Sequence, residues 1–197
     1  MKEGSWKARF DVVAVLCGIG FAAVGSTGVA IAIIPHALAP FEVDGTGVAI
    51  GLIVSAFNFG QLVGGPPVRL AMQHAGLAPL LGVGLTIMLM SAVLMAVAPP
   101  LGAAAAERAW ATVGLLRSAR FAIGIGTVCA TNAAMVIMLG SVTSGHGAVM
   151  ALLELCTGLG STLGPIIAAG VFTFAGASAA FLVSAVFIVL NMPAPRA

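Results

Sequence analysis

The stretch GLGSTLGPIIAAG, residues 158–170, lies in a long apolar segment whose last charged residue before the C-terminal tail is Glu154. Glycine and proline weaken helices in water, so their abundance here needs a physical reason. Lipid tails are as apolar as leucine, and helices in a bilayer therefore associate through close backbone approach. Gly160 and Gly164, four positions apart, form a flat helix face, and Pro165 predicts a kink just before it. The stretch predicts a helix that packs tightly inside a membrane, although such spacing is also common in ordinary helical bundles.

The composition supports a lipid environment. Hydrophobic residues make up 60% of the 197 residues and charged residues only 7%, and the mean hydropathy is +1.16. A soluble domain carries about 25% charged residues. Since no basic patch is present, the sequence argues against nucleic-acid binding. No histidine pair has metal-ligand spacing, and Ser144 and His146 lack an oxyanion element, so we expect no metal, no cofactor and no enzyme activity.

The hydropathy pattern predicts an all-α membrane protein with six transmembrane helices. A spanning helix needs about 20 apolar residues. With the N-terminus inside, inner segments hold most of the basic residues, which places both termini in the cytoplasm. We expect a cytoplasmic segment at 1–11, a six-helix domain at 12–192 and a cytoplasmic tail at 193–197. The predicted spans are Val12–Ile34, Thr46–Pro66, Leu77–Ala98, Ala111–Leu139, Ala148–Phe174 and Ala177–Met192.

Two motifs resemble those of a known transporter family. The sequence Gly160-Ser-Thr-Leu-Gly164-Pro165 resembles the helix-five signature G-x-x-x-G-P of the major facilitator superfamily, usually called the antiporter motif. Arg120-Phe-Ala-Ile-Gly124-Ile-Gly126 resembles the family's helix-four pattern R-x-x-x-G-x-G. The order of motifs is similar to the N-terminal six-helix half of these transporters. The resemblance implies a half bundle in which Arg120 serves proton coupling or the substrate cavity.

The loop between the second and third helices departs from the family pattern. Gln73 stands where the family has an aspartate, and His74 stands at an arginine position. The charged latch that controls closure on the cytoplasmic side is therefore expected to be missing or rebuilt.

Four polar residues in the predicted spans are candidates for substrate binding or proton coupling. A charge at the bilayer centre costs about 2.5–3.5 kcal/mol and normally faces the protein interior. Arg120 is the strongest candidate, whereas the stem of Arg117 is long enough to reach the interface. Glu154 is either a carboxylate at the inner interface or a proton carrier whose pKa is raised by desolvation. Asn132 either lines a cavity or forms a hydrogen bond between helices.

The combined features predict a secondary transporter in the plasma membrane, the inner membrane of a bacterium. The helix-five motif favours proton-coupled efflux of a small solute. Family members have two six-helix halves with the substrate site between them, whereas this chain accounts for one. We therefore expect a homodimer or a second six-helix half as partner. The alternative is a non-transporting six-helix subunit or a truncated, inactive transporter half.

Overall fold

The computed structural model describes residues 18–20, 25, 27–39, 46–102, 106–141 and 146–190, which are helical apart from short connections. The predicted terminal segments and much of the first predicted span lie outside these residues. We label the helices α1 (Thr27–Leu38), α2 (Thr46–His74), α3 (Leu77–Gly102) and α4 (Ala106–Ser141). The last helical stretch, His146–Leu190, is interrupted at Gly176. We label its two parts α5, residues 146–175, and α6, residues 177–190.

Gly176 separates α5 from α6 at the position predicted from the sequence. Its φ of 79° and ψ of −177° lie in a region that is almost restricted to glycine. Pro165, in contrast, lies inside α5 without non-helical dihedral angles around it. The only break in this stretch is therefore at the glycine and not at the proline.

Four of the described helical stretches are long and apolar enough to cross a membrane, judged by length and composition. They are Gly47–His74, Leu77–Ala98, Trp110–Gly140 and His146–Leu190. The last of these contains both α5 and α6. The protein is thus all-helical over the described residues, and six spans with cytoplasmic termini stay a prediction.

The helix predicted to end at Pro66 continues through Pro67 to His74. A proline ring normally clashes with the Cβ of the residue before it, but Gly65 precedes Pro66 and has no Cβ. Prolines are also tolerated in membrane helices where neighbouring groups satisfy the freed carbonyls. The helix α2 therefore extends beyond the predicted apolar span, which ends at Pro66.

The residues that each glycine contacts show the relative direction of the helices. Along α2 and α4, Gly60 meets Phe121 and Gly64 meets Ile125, so both residue numbers rise together and the two helices run parallel. The first helical region, which comprises residues 18–20, residue 25 and α1, is likewise parallel to α5, because Gly20 meets Leu153 and Gly28 meets Pro165.

The pairing of α3 with α4 has the opposite sense. Gly84 meets Ala130, whereas Met88, one turn further along α3, meets Gly126, so these helices are antiparallel. A chain that crosses a membrane back and forth requires this pattern. The first and fifth helices then share one direction, the second and fourth share the other, and the third is antiparallel to the fourth.

The outer surface of the described bundle suits lipid. Large apolar side chains are exposed on every long helix, among them Leu62 at 72%, Met90 at 64% and Phe174 at 93%. Exposed hydroxyl groups bond within their own helices: Thr86 donates to the carbonyl of Gly82 at 2.8 Å and Thr173 to that of Ala169 at 2.9 Å. A surface of apolar side chains and internally bonded hydroxyls needs no water, which is what a bilayer requires.

Candidate functional site

Helix α4 lies at the centre of the site because its two motif glycines face different neighbours. A Cβ added at Gly124 would collide with the carbonyl oxygen of Phe57 in α2. A Cβ added at Gly126 would lie 2.8 Å from the carbonyl oxygen of Gly84 in α3. The spacing G-x-G thus lets one helix approach two others closely, and this close approach determines where Arg120 lies.

The helix-five motif packs against the first helical region. A Cβ built at Gly164 would lie 2.5 Å from the carbonyl oxygen of Gly25. A Cβ built at Gly28 would lie 2.7 Å from Cδ of Pro165. Pro165 leaves the carbonyl of Ser161 without its usual helical donor. That carbonyl lies against Gly28, 3.3 Å from the built Cβ. The motif therefore forms a tight helix pair in which a neighbouring backbone covers the freed carbonyl.

Arg120 is fully buried, with an exposed fraction of 0%. It lies ten residues after Trp110, where the candidate span begins, and this is about 15 Å along the helix axis, close to the middle of a bilayer core of about 30 Å. None of its three side-chain nitrogens has a hydrogen-bond partner among the described residues. Its Cζ instead lies 4.7 Å from the ring centroid of Phe57. The aromatic face provides a cation–π contact, which leaves the hydrogen-bonding capacity of a buried guanidinium free for a ligand or for water.

Arg117 is exposed and lines a groove between α2 and α4 with a volume of about 660 Å³. Its lining residues precede the contact of Gly60 with Gly124 on both helices. Where the lining comes nearest to that contact, the rings of Phe59 and Phe121 lie 5.9 Å apart, centroid to centroid. Its lining comprises Leu52, Ser55, Ala56 and Phe59 from α2, and Gly114, Arg117, Ser118 and Phe121 from α4.

Glu154 and Asn132 lie apart from Arg120. Glu154 is exposed on α5, although its neighbour Leu153 is buried against Gly20. Asn132 is half-buried on α4, more than three helical turns beyond Arg120. The structure therefore brings Arg120 and Arg117 onto neighbouring positions of one helix, and it does not bring Glu154 into hydrogen-bonding contact with Arg120.

Sequence reasoning missed Phe57 and the groove. Phe57 precedes Gly60 by three positions, so the two share a helix face. That spacing indicates an aromatic ring next to a close helix contact, but it does not indicate that the ring would contact Arg120. Over the described residues there is no cluster of three or more histidine, cysteine or acidic side chains arranged to hold a metal ion.

Comparison with known proteins assigns the chain to a family. No curated protein matches it. The family model of the Major Facilitator Superfamily matches residues 14–195, which is most of the chain. This family comprises multi-pass membrane transporters that bind small solutes within the membrane. The match, together with the close α1–α5 and α2–α4 pairs and the buried Arg120, leads to one conclusion: the chain belongs to the Major Facilitator Superfamily.

Proposed function

We propose that this protein, a transporter of the major facilitator type, carries out proton-coupled efflux of a small solute in the plasma membrane. The observation that carries the proposal is the buried guanidinium of Arg120, which lies near mid-membrane without a hydrogen-bond partner among the described residues. A charge at that depth costs about 2.5–3.5 kcal/mol, so a functional role is the usual reason for keeping it.

Glu154 is the proposed proton carrier. It is the only acidic residue within the predicted spans. In this scheme its protonation alternates with solute binding near Arg120, and the two groups act in turn without a direct ion pair. Their separation in the structure is compatible with this order of events.

The exposure of Glu154 supports the need for a partner. A carboxylate that faced acyl chains would be disfavoured by about 2.5–3.5 kcal/mol on insertion scales. A second copy of the chain, or a second six-helix half, would cover the α5 face that carries it. The substrate site of the family lies between two halves, so the same association would complete the site.

The test is proton flux in liposomes that contain the purified protein, a pH gradient and a pH-sensitive dye. Small organic cations, neutral solutes and anions are added one class at a time. We expect one class to release protons from the parent protein, and Glu154→Gln to abolish this release without loss of insertion. Glu107→Gln, a carboxylate in a predicted outer loop, is the matched control and should behave like the parent. Unchanged coupling in Glu154→Gln would remove Glu154 from the mechanism.

A mass measurement in mild detergent separates the two functional classes. A two-fold assembly that shows flux supports the transporter proposal. A stable monomer without flux in any solute class would favour the alternative, a non-transporting membrane subunit or an inactive half.

A further inference from the structure

We propose that the groove between α2 and α4 binds an amphipathic monoanion, whose charged group pairs with Arg117, and that this molecule belongs to the class of solute the protein transports. The inference rests on the proposed function for the last clause only, because the binding site itself can be tested without transport.

The chemistry of the groove points to one negative charge. Ser55 donates its hydroxyl to the carbonyl of Leu52 at 3.2 Å, and Ser118 donates to that of Gly114 at 2.9 Å. Both hydroxyls are therefore already engaged within their own helices. Among the described residues that line the groove, Arg117 is the only one with a charged side chain. A single guanidinium offers a fork of N–H donors that matches one carboxylate, which sets the ligand charge at one.

The positive charge of Arg117 is not balanced by any acidic side chain among the described residues. The structure gives it no ion pair with a described residue. Arg120 lies three positions further along α4, and side chains with this spacing start from neighbouring places on a helix. Within the described part of the chain, Arg120 likewise has no hydrogen-bond partner. Two cationic side chains that start one turn apart make the local potential positive, and this potential favours an anion in the groove.

The remaining lining is apolar and suits a hydrocarbon or aromatic body. Leu52 is 42% exposed and Phe59 is 58% exposed, so each offers apolar surface to the groove. The volume of about 660 Å³ is in the usual range of small-molecule sites, about 300–1,000 Å³. Apolar walls with one cation at the rim fit a short amphipathic acid better than a sugar or a polyanion.

Trp110 provides a natural reporter for the test. It is 57% exposed and precedes Arg117 by seven residues, so both lie on the same face of α4 about 10 Å apart along the axis. The sequence has two tryptophans, and Trp6→Phe removes the other one. This parent variant, in nanodiscs of zwitterionic lipid, is titrated with 8-bromooctanoate, whose bromine quenches indole fluorescence.

We expect saturable quenching of Trp110 that weakens about 10- to 100-fold in Arg117→Gln, the loss usual for a charge-assisted hydrogen bond. Arg117→Lys retains the charge and should keep part of the binding, which also shows that the helix pair has folded. Arg69→Gln removes an exposed arginine of α2 outside the groove and should bind like the parent. The methyl ester of the probe, which has no charge, should quench without saturation.

Three results would overturn the inference: no saturable quenching in the parent, equal quenching in Arg117→Gln, or equal saturable quenching by the methyl ester. Loss of the parent's quenching in nanodiscs that contain phosphatidylglycerol would show that the groove holds an anionic lipid rather than a solute. Because no step of this assay needs transport, a negative result leaves the proton-flux experiment free to support or reject the proposed function separately.

Discussion

The close approach of α5 to the first helical region makes a quantitative prediction for Gly164→Ala. A Cβ at this position would lie 2.5 Å from the carbonyl oxygen of Gly25 and 3.0 Å from its Cα. Both are backbone atoms, so no side chain can rotate to make room. Ordinary van der Waals contact for such a Cβ begins at 3.4 Å. The difference from 2.5 Å means that the two backbones must separate by about 0.9 Å.

A separation of this size has an energetic consequence. A radial gap of about 0.5–1 Å removes a quarter to a half of the dispersion attraction between atoms in contact. Dispersion and close backbone contact are the main attraction between helices in lipid. Overpacking of a well-packed core usually costs about 1–3 kcal/mol, and we expect Gly164→Ala to lower the free energy of unfolding by about that amount.

The assay is an unfolding titration with SDS in mixed micelles, followed by circular dichroism. Gly170→Ala is the matched control on the same helix, since a Cβ at Gly170 would meet no atom within 4 Å. Alanine is the better helix former by about 0.8–1.0 kcal/mol, so the control should be neutral or slightly more stable than the parent. If Gly164→Ala is as stable as Gly170→Ala, the close contact between Gly164 and Gly25 is wrong.

Three further predictions concern α4 and the α5–α6 break. Gly126→Ala should destabilise the α3–α4 pair by about 1–3 kcal/mol in the same titration, whereas Gly140→Ala, which faces open space, should not; equal stabilities would argue against the contact with Gly84. A double-mutant cycle of Phe57→Leu and Arg120→Gln should give a coupling free energy of about 0.5–2 kcal/mol from the cation–π contact, and additive effects would exclude that contact. Gly176→Ala should cost about 1–3 kcal/mol because φ is 79° there, and an unchanged unfolding midpoint would indicate that the break tolerates a side chain.

Several features of the fold followed from local residue patterns. The fifth predicted span ends at Phe174 and the sixth begins at Ala177, and the break between α5 and α6 lies between them at Gly176, which has the positive φ that only glycine adopts readily. The ends of α2 were not predictable in the same way. Whether Pro66 ends a helix depends on the residue before it and on nearby partners for the freed carbonyls. The residue before it can be read from the sequence, whereas the partners depend on the tertiary structure.

The candidate site was predicted in part. Arg120 was expected in the interior because an ionised group at mid-membrane is costly, and it is fully buried. The roles of Arg117 and Glu154 depend on which face of each helix is covered, and both are exposed in the described chain. The groove beside Arg117 is lined by residues of α2 and α4 that precede the contact of Gly60 with Gly124, and the pairing of these two helices has no local signature.

Composition and periodicity alone determined that this protein is a set of apolar helices in a membrane, because a chain with 7% charged residues needs lipid, and lipid requires backbone groups to bond within their own segment. The motif glycines also marked which faces would approach another backbone. Only the tertiary structure decided the partner of each face: Gly124 meets α2, Gly126 meets α3 and Gly164 meets the first helical region. The physical reason is that lipid favours no helix pair by hydrophobicity, so partners are selected by the fit of whole surfaces, which the spacing of small residues does not specify.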